Sequence, residues 1–586
     1  MADRRLSFRR RSHRSSEAGQ AILFFVLVLG IFLLAILCLA FDLSNMWFHR
    51  QAAQNAADAA CTAGAMDLLV DAQGGATGHQ GFTNGTPFDC SSSGNPTASV
   101  CQYAAKNSYD SANTTPGNLV SVTFPSTVPG VTTPPASMAP TPFISVFVLE
   151  HVRTFFLGLL NGSTTADVRA FATCGLELSQ SPIPIVVLDP RATDGATLST
   201  QGNPTISVYG GPQRSIQVNS SYTGAVNIGG SAVINLTNGG PNNPPSGSDL
   251  GTYGGPAGAP AGFHTGATGH WIAPASPIND PFAQVPAPGQ PAAPVPTPGL
   301  AGCTSVPCAV PPGVNGCPAA FVAGCDEYTP GYYASGISVS GAGGPNFRIA
   351  LFDPGIYYIM NGFTASPNSC MRPSTATGDG SGGTLFYFAD INSISVSANS
   401  GKKCPTDPST LFNTTSGSGS ILYGAKCTSS SSIPSNLPAA LSGSVLLGPC
   451  QKPVAATGLC APNCSINYGD PLGASDPLGV QRGFLFFQKR SVNASTNPQW
   501  TGGGQFLLSG TMYFHQCVTS GSDTGVNCSA PSAYNDNVSL GGNSGSGTYV
   551  LGQVVADQIT LSGTSALTMD LNPTSVFNIL KASLLQ

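Results

Sequence analysis

The chain has 586 residues, with 71 Gly, 49 Pro, 8% charged and 41% hydrophobic side chains and a formal net charge of −5. That supply of turn-formers excludes a protein dominated by long helices, and a charged share far below the roughly 25% of an ordinary soluble domain excludes salt-bridged bundles and coiled coils. Disorder driven by charge repulsion needs a high net charge, which is absent.

Arg4, Arg5, Arg9, Arg10, Arg11 and Arg14 crowd a basic tail, residues 1–20. Beyond Arg50 there are 15 Lys/Arg against 24 Asp/Glu, a net of −9, so the bulk of the chain lacks the basic surface that nucleic-acid binding needs. Residues 21–41, AILFFVLVLGIFLLAILCLAF, carry no charge and no proline; as a helix they span about 31 Å, the thickness of a bilayer core. With the arginines on one side and only Arg50 soon after, the positive-inside rule places the tail in the cytoplasm and everything past Phe41 outside, in contact with lipid through a retained single-pass anchor. A cleaved signal peptide would have a shorter core, about 7–15 residues, and a small-x-small site close behind it. Trp47 and His49 then fall at or just beyond the far interface.

Residues 42–70 are rich in alanine and poor in proline and β-branched residues, which predicts that the helix continues to about residue 66 as a projecting stalk. Met46, Arg50, Ala53, Ala57, Ala60 and Gly64 recur at steps of three or four, a mostly small stripe that lets another helix approach closely.

The set Gly19-Gln20-Ala21, the apolar span, Asp42-Leu43-Ser44-Asn45, Trp47-Phe48 and Gln54 to Ala60 resembles the N-terminal segment of TadG-like Flp (Tad) pilus-assembly proteins. Phe24 stands where the related pilin-like members carry a glutamate, so the resemblance is to the uncleaved branch. Residues 142–174 resemble that family's strand, "TFF" helix and returning strand: Ile144, Val146 and Val148 alternate, Thr154 to Leu160 is apolar, Asn161-Gly162 is a stop signal and Val168 to Phe171 returns. The resemblance implies a bacterial inner (cytoplasmic) membrane location, a small α+β head over 142–181, and other pilus-assembly membrane proteins as partners. Residues 71–141 read as a loop-rich insertion before that head.

From 182 to 236 short strands follow one another, with Ile206, Ile216, Val226 and Val233 opening apolar pairs between Gly, Ser and Asn. Residues 237–300 are rich in Gly, Pro and Ala and read as a polyproline-like linker or surface excursion. Residues 301–586 repeat the strand-and-glycine texture, and their strands are able to pair with those of 190–236. The expected fold class is a single transmembrane helix with a helical stalk, a small α+β head and a large mainly-β extracytoplasmic domain, a β-solenoid ahead of a β-sandwich.

Seventeen cysteines include twelve from Cys303 to Cys528, which in an oxidising exterior staple loops short of other stabilising contacts. Sequence alone does not give the connectivity; Cys90 with Cys101, Cys303 with Cys308, Cys317 with Cys325 and Cys517 with Cys528 are the candidate bridges. Cys-x2-Cys spacing is absent and His515-Gln516-Cys517 is one weak pair, so no metal ligand is assigned. Asp326 and Glu327 are adjacent, and on a strand adjacent side chains face opposite ways, which argues against a catalytic pair with or without Asp353. Gly378 to Gly383 lacks the lysine of a nucleotide-binding loop. The expectation is a protein with no catalytic residue and no cofactor, taking part in assembly or anchoring of a Tad/Flp-type pilus. A tethered surface adhesin is the alternative, with Tyr332, Tyr333, Tyr357 and Tyr358 as glycan contacts; Tyr332-Tyr333 and Tyr357-Tyr358 each straddle a strand, so one member of each faces out.

Overall fold

The computed structural model describes residues 17–72, 81–90, 97–109, 118–158 without 132 and 135–138, 162–180, 183–340 without 243, 279 and 284, 348–376, 383–390, 394–398, 404, 443–449, 481–490, 497–516, 534, 536–543, 547–571 and 578–585. The arginines of the basic tail, Gly378 to Gly382, Cys517 and Cys528 lie outside them. The chain divides into two compact units, one of residues 1–179 with 580–586 and one of residues 180–579.

The first unit is a long helix laid on an antiparallel sheet. Helix α1 (Glu17–Ala72) runs unbroken from the apolar span through the alanine-rich stretch, six residues past the expected end. Strands β1 (Phe88–Asp89), β2 (Leu119–Thr123), β3 (Phe143–Arg153) and β4 (Thr165–Gln180) form a sheet in that order, and the chain's final strand, Asn578–Leu584, adds beside β4. A short helix, α2 (Ser99–Lys106), completes the unit. β3 is rich in β-branched and aromatic residues, as a half-buried strand should be. Its Ile144, Val146, Val148 and Val152 share a core with Ala170, Ala172 and Cys174 of β4 and with Val100 and Ala104 of α2.

That core closes on α1, which corrects the stalk expectation. Ala53, Ala57 and Ala60 are fully buried within this unit and Met46 packs partly against it, while Arg50 is exposed. At Gly64 a Cβ would stand 2.6 Å from Ile144 Cδ1 and 2.9 Å from Val100 Cγ2, so only glycine admits this approach. Small residues do let a second backbone come close, but here the backbone is a sheet of the same chain, whose larger side chains fill the space the alanines leave. Of the described residues within 71–141, Phe82, Val100, Cys101, Tyr109, Val120 and Val122 belong to the same core.

The second unit is mostly parallel β-sheet. Three long parallel sheets have ten, eight and seven strands, and successive strands pass from one sheet to the next in rotation. Leu198 therefore pairs with Val226 and Ile206 with Ile234, each 28 residues on, which is why the spacing of neighbouring strands looked irregular in sequence. Side chains facing the space between the sheets form one large core, with stacked rings such as Tyr333, Tyr357, Phe386 and Phe486 at centroid separations of 5.8, 5.1 and 5.7 Å. At one corner Gly202, Gly230 and Gly563 all have positive φ, and a Cβ on any of them would strike the carbonyl of the neighbouring layer at 2.7 Å or closer. A fourth, smaller sheet of Cys308–Val310, Cys325–Tyr328, Arg348–Phe352 and Ser369–Pro373 is parallel except for its first pair.

The stack begins in its own middle. The strand Ile185–Val187 pairs on one side with Arg214–Val218 and on the other with Val554–Ala556, so residues 183–272 build outward in one direction while residues 331–570 build back towards the start. Residues 274–295 connect the two ends, which corrects the linker reading of 237–300. Earlier in that stretch, Asp249–Thr252, Phe263–His264 and Trp271–Ile272 are strands of the stack. The proline-rich part then runs down the outer face of the ten-stranded sheet. Ala275 N–H donates to Thr252 O at 2.8 Å, Ile278 N–H to Asn219 Oδ1 at 3.0 Å, Tyr513 Oη to Asp280 Oδ2 at 2.6 Å, Gln481 Nε2 to Pro286 O at 3.0 Å and Tyr332 N–H to Ala292 O at 2.8 Å. Beyond one local turn, in which Val285 N–H donates to Phe282 O at 2.8 Å, extended proline-rich chain offers few internal partners, so the strap takes its remaining ones from the sheet. Phe282 is fully buried beneath it, edge-on to Phe484 and Tyr513 at 4.7 and 5.5 Å.

Candidate membrane-proximal site

α1 is long and apolar enough to cross a membrane, and the large side chains from Ile22 to Phe41 are exposed along it. The first carboxylate after the span is Asp42, which is 1% exposed. It owes that burial to the turn between β3 and β4: Phe155 N–H donates to Oδ1 at 3.0 Å, and Phe156 and Leu157 N–H donate to Oδ2 at 2.8 and 2.6 Å. Burial alone would raise the pKa of this carboxyl, but the three N–H donors outweigh it and hold the value below the ordinary carboxylate range. One turn on, Asn45 Nδ2 donates to Arg153 O at 3.3 Å. Then His49 Nδ1 lies 2.9 Å from Glu150 Oε1, and Tyr109 Oη donates to Glu150 Oε2 at 2.8 Å. Burial, followed by the Glu150 contact, raises the Tyr109 phenol well above its usual pKa, so it stays a donor. Successive turns of the helix are thus fastened to the turn end of the β3–β4 hairpin.

The aromatic pair at the tip remains uncovered. Phe155 is 58% and Phe156 38% exposed, both edge-on to Phe41 at 5.7 and 6.3 Å. With Leu37 and Cys38 they line an open apolar groove of about 450 Å³. Of the helix expected over Thr154 to Leu160, Leu157 and Gly158 are helical and 159–161 lie outside the described residues.

The other sequence-derived candidates are scattered over both units. Cys90–Cys101, Cys303–Cys308 and Cys317–Cys325 are at disulfide distance. Two further pairs, Cys61–Cys174 and Cys370–Cys404, escaped sequence reasoning because they join residues 113 and 34 apart. Tyr333 and Tyr357 are buried, with hydroxyls donating to Thr329 O at 2.5 Å and to Asp353 O at 2.8 Å, so neither is available to a glycan. Tyr332 and Tyr358 are half-buried, 5.8 Å apart on the face the strap crosses. Asp326 pairs with Arg348 Nε at 2.5 Å, whereas Glu327 is fully buried and accepts from Asn315 at 3.0 Å and Ser374 at 2.7 Å. Asp353 is also buried, and burial together with the Glu327 charge pushes its pKa up to about 6. His515 is held by Asp557, Nδ1 to Oδ1 at 2.5 Å, in the interior of the second unit.

The Asp42 contact to the turn was legible only in part. Asp42 is the lone carboxylate between Glu17 and Asp58 and sits at the end of an apolar run, a placement that asks for a partner. That partner lies 113 to 115 residues on and has no sequence signal of its own beyond the two phenylalanines.

Residues 19–67, the span and the buried half of α1, match the family model described as putative Flp pilus-assembly TadE/G-like. No curated protein and no solved structure matches the chain.

Proposed function

We propose that this chain is a single-pass protein of the bacterial inner membrane that takes part in assembling or anchoring a Tad/Flp-type pilus, without catalysing a reaction. Its tail is cytoplasmic and both compact units are extracytoplasmic. The observation that carries this reading is the coincidence of the family match with the structural role of α1: the matched segment is at once the apolar span and the helix that closes the head's core. Arginines before the span and disulfide-distance cysteines after it support the orientation. The non-catalytic reading is supported by the buried carboxylates Glu327 and Asp557, both satisfied by fixed structural partners. The second unit is read as a β-solenoid, on the rotation of strands among three parallel sheets.

The test is removal of the chain from a cell that makes such a pilus, with the full-length protein restored from a second copy. Loss and recovery of surface pili, together with co-purification of the restored protein with pilus-assembly membrane proteins, is the expected result. Normal piliation without the chain would sink the proposal. Protease treatment of spheroplasts should degrade both units and spare the basic tail; intact second-unit fragments would reverse the orientation.

A further inference from the structure

We propose that the turn Thr154–Gly158 is a second membrane contact, with Phe155 and Phe156 inserted among the acyl chains of the leaflet that holds the C-terminal end of the span. The inference rests on the anchor reading of residues 21–41 and goes beyond it.

Position is the first argument. The groove beneath the two rings is walled by Leu37, Cys38 and Phe41, the last turn of the apolar span. Leu37 and Phe41 differ in height by only about 6 Å, so a side chain packed against both lies at the depth where the hydrocarbon ends. Any placement that buries residues 21–41 in lipid therefore puts lipid against Phe155 and Phe156 as well, and acyl chains are the occupant continuous with those already covering Ile22 to Phe41.

The second argument is independent of exposure. Backbone N–H groups entering a bilayer without partners cost several kcal/mol each. At this tip Asp42 accepts from Phe155, Phe156 and Leu157, Thr154 N–H donates to Thr164 O at 3.0 Å, Thr154 Oγ1 donates to Ser163 O at 3.1 Å, and Gly162 N–H donates to Gly158 O at 2.9 Å. With these acceptors in place the described part of the turn can enter the acyl region without orphaning its backbone donors. The neighbouring exposed Arg153 and Trp47 then stand at headgroup height, where cationic and indole side chains are favoured.

The experiment uses the full chain reconstituted into phosphatidylcholine vesicles, with and without bromine on the acyl chains, and reads quenching of one added tryptophan above the parent's signal. Leu33→Trp reports the span, and Phe156→Trp and, separately, Phe155→Trp report the turn; either turn variant suffices if the other fails to fold. Expected is strong quenching of L33W and quenching of F156W or F155W within about twofold of it. If L33W is quenched and the turn variants are not, the inference is overturned, a red-shifted emission then assigning the tip to water and a blue-shifted one to a protein partner. If L33W itself is unquenched, the anchor reading fails first.

Discussion

At the residue scale two buried carboxylates behave in opposite ways. Asp42 is held ionised by backbone donors, so its folded-state pKa lies below the unfolded value. Its contribution is fully present above the usual carboxylate range and is lost as pH falls through the depressed folded value. Asp42→Ala should expose the amides of Phe155, Phe156 and Leu157 and speed their hydrogen exchange by about tenfold or more at neutral pH; unchanged exchange would mean the turn holds itself. Asp353 has the reverse sign. Its pKa is raised to about 6, chiefly by burial and then by the Glu327 charge. Its protonated form is favoured by folding, so the contribution is greatest below the unfolded pKa and disappears as pH rises through about 6. Asp353→Asn should therefore stabilise the protein at pH 8 by on the order of 2 kcal/mol and leave it nearly unchanged at pH 4, as compared by denaturant titration at the two pH values. A destabilised variant at pH 8 would show that the carboxylate, not the acid, is the form the fold requires. Neither environment was visible from the chain. In sequence Asp42 reads only as part of the family-like run Asp42-Leu43-Ser44-Asn45, and the groups that satisfy Asp42 and crowd Asp353 come from other segments.

Among the elements, α1 has two halves of different character: its first half carries large exposed apolar side chains, which the proposed function assigns to lipid, and its second half offers small ones to a sheet. Both halves were readable, the first from unbroken hydropathy and the second from alanine at steps of three and four. The partner was not, because a stripe of small residues specifies close approach without specifying what approaches. β3 was readable for the converse reason: Ile144, Val146 and Val148 alternate, and alternation names both the element and its buried face. Their meeting is tightest at Gly64, where Ile144 and Val100 occupy the space a side chain would need. Gly64→Val should cost about 1–3 kcal/mol through overpacking. It should also open the first unit to limited proteolysis while leaving membrane insertion intact, since residues 21–41 are untouched. Equal protease resistance of variant and parent would mean that the helix can stand off the sheet without loss.

On the scale of the molecule, the second unit begins and ends at one place. Gln553 Nε2 donates to Ile183 O at 2.9 Å, Val554 N–H donates to Pro184 O at 2.8 Å, and Leu571 and Pro184 flank the same Gly211. In chain order the unit of residues 180–579 is inserted between β4 and the final strand of the first unit's sheet, and adjacent ends are what such an insertion needs. The strand texture of this body was plain in sequence; its circular order was not, because parallel pairing between Ile185 and Val554 leaves no local trace. Sequence leaves the strap between two readings, linker or surface excursion, for a related reason, since proline-rich chain looks like a linker unless the surface it covers is known. Arg490 makes that surface specific: fully buried, it donates to Phe282 O and to Val285 O, the latter at 2.9 Å, and to Tyr513 Oη at 2.6 Å. Arg490→Ala removes the donor to Val285 O and the positive charge 3.7 Å from Asp280 and should cost about 3–5 kcal/mol, with new protease cuts within residues 274–295 as the first sign. The same reasoning makes residues 183–571 a self-sufficient piece, whereas residues 301–571 lack both the strap and the strands Ile185–Val187, Leu198–Gly202 and Thr205–Tyr209 on which the last layer stacks. Expressed separately, the longer piece should melt in one cooperative transition and the shorter should aggregate. A shorter piece as stable as the longer would show that the layer built from residues 554–570 needs nothing from the start of the chain, and that the closed order of the stack contributes nothing to its stability.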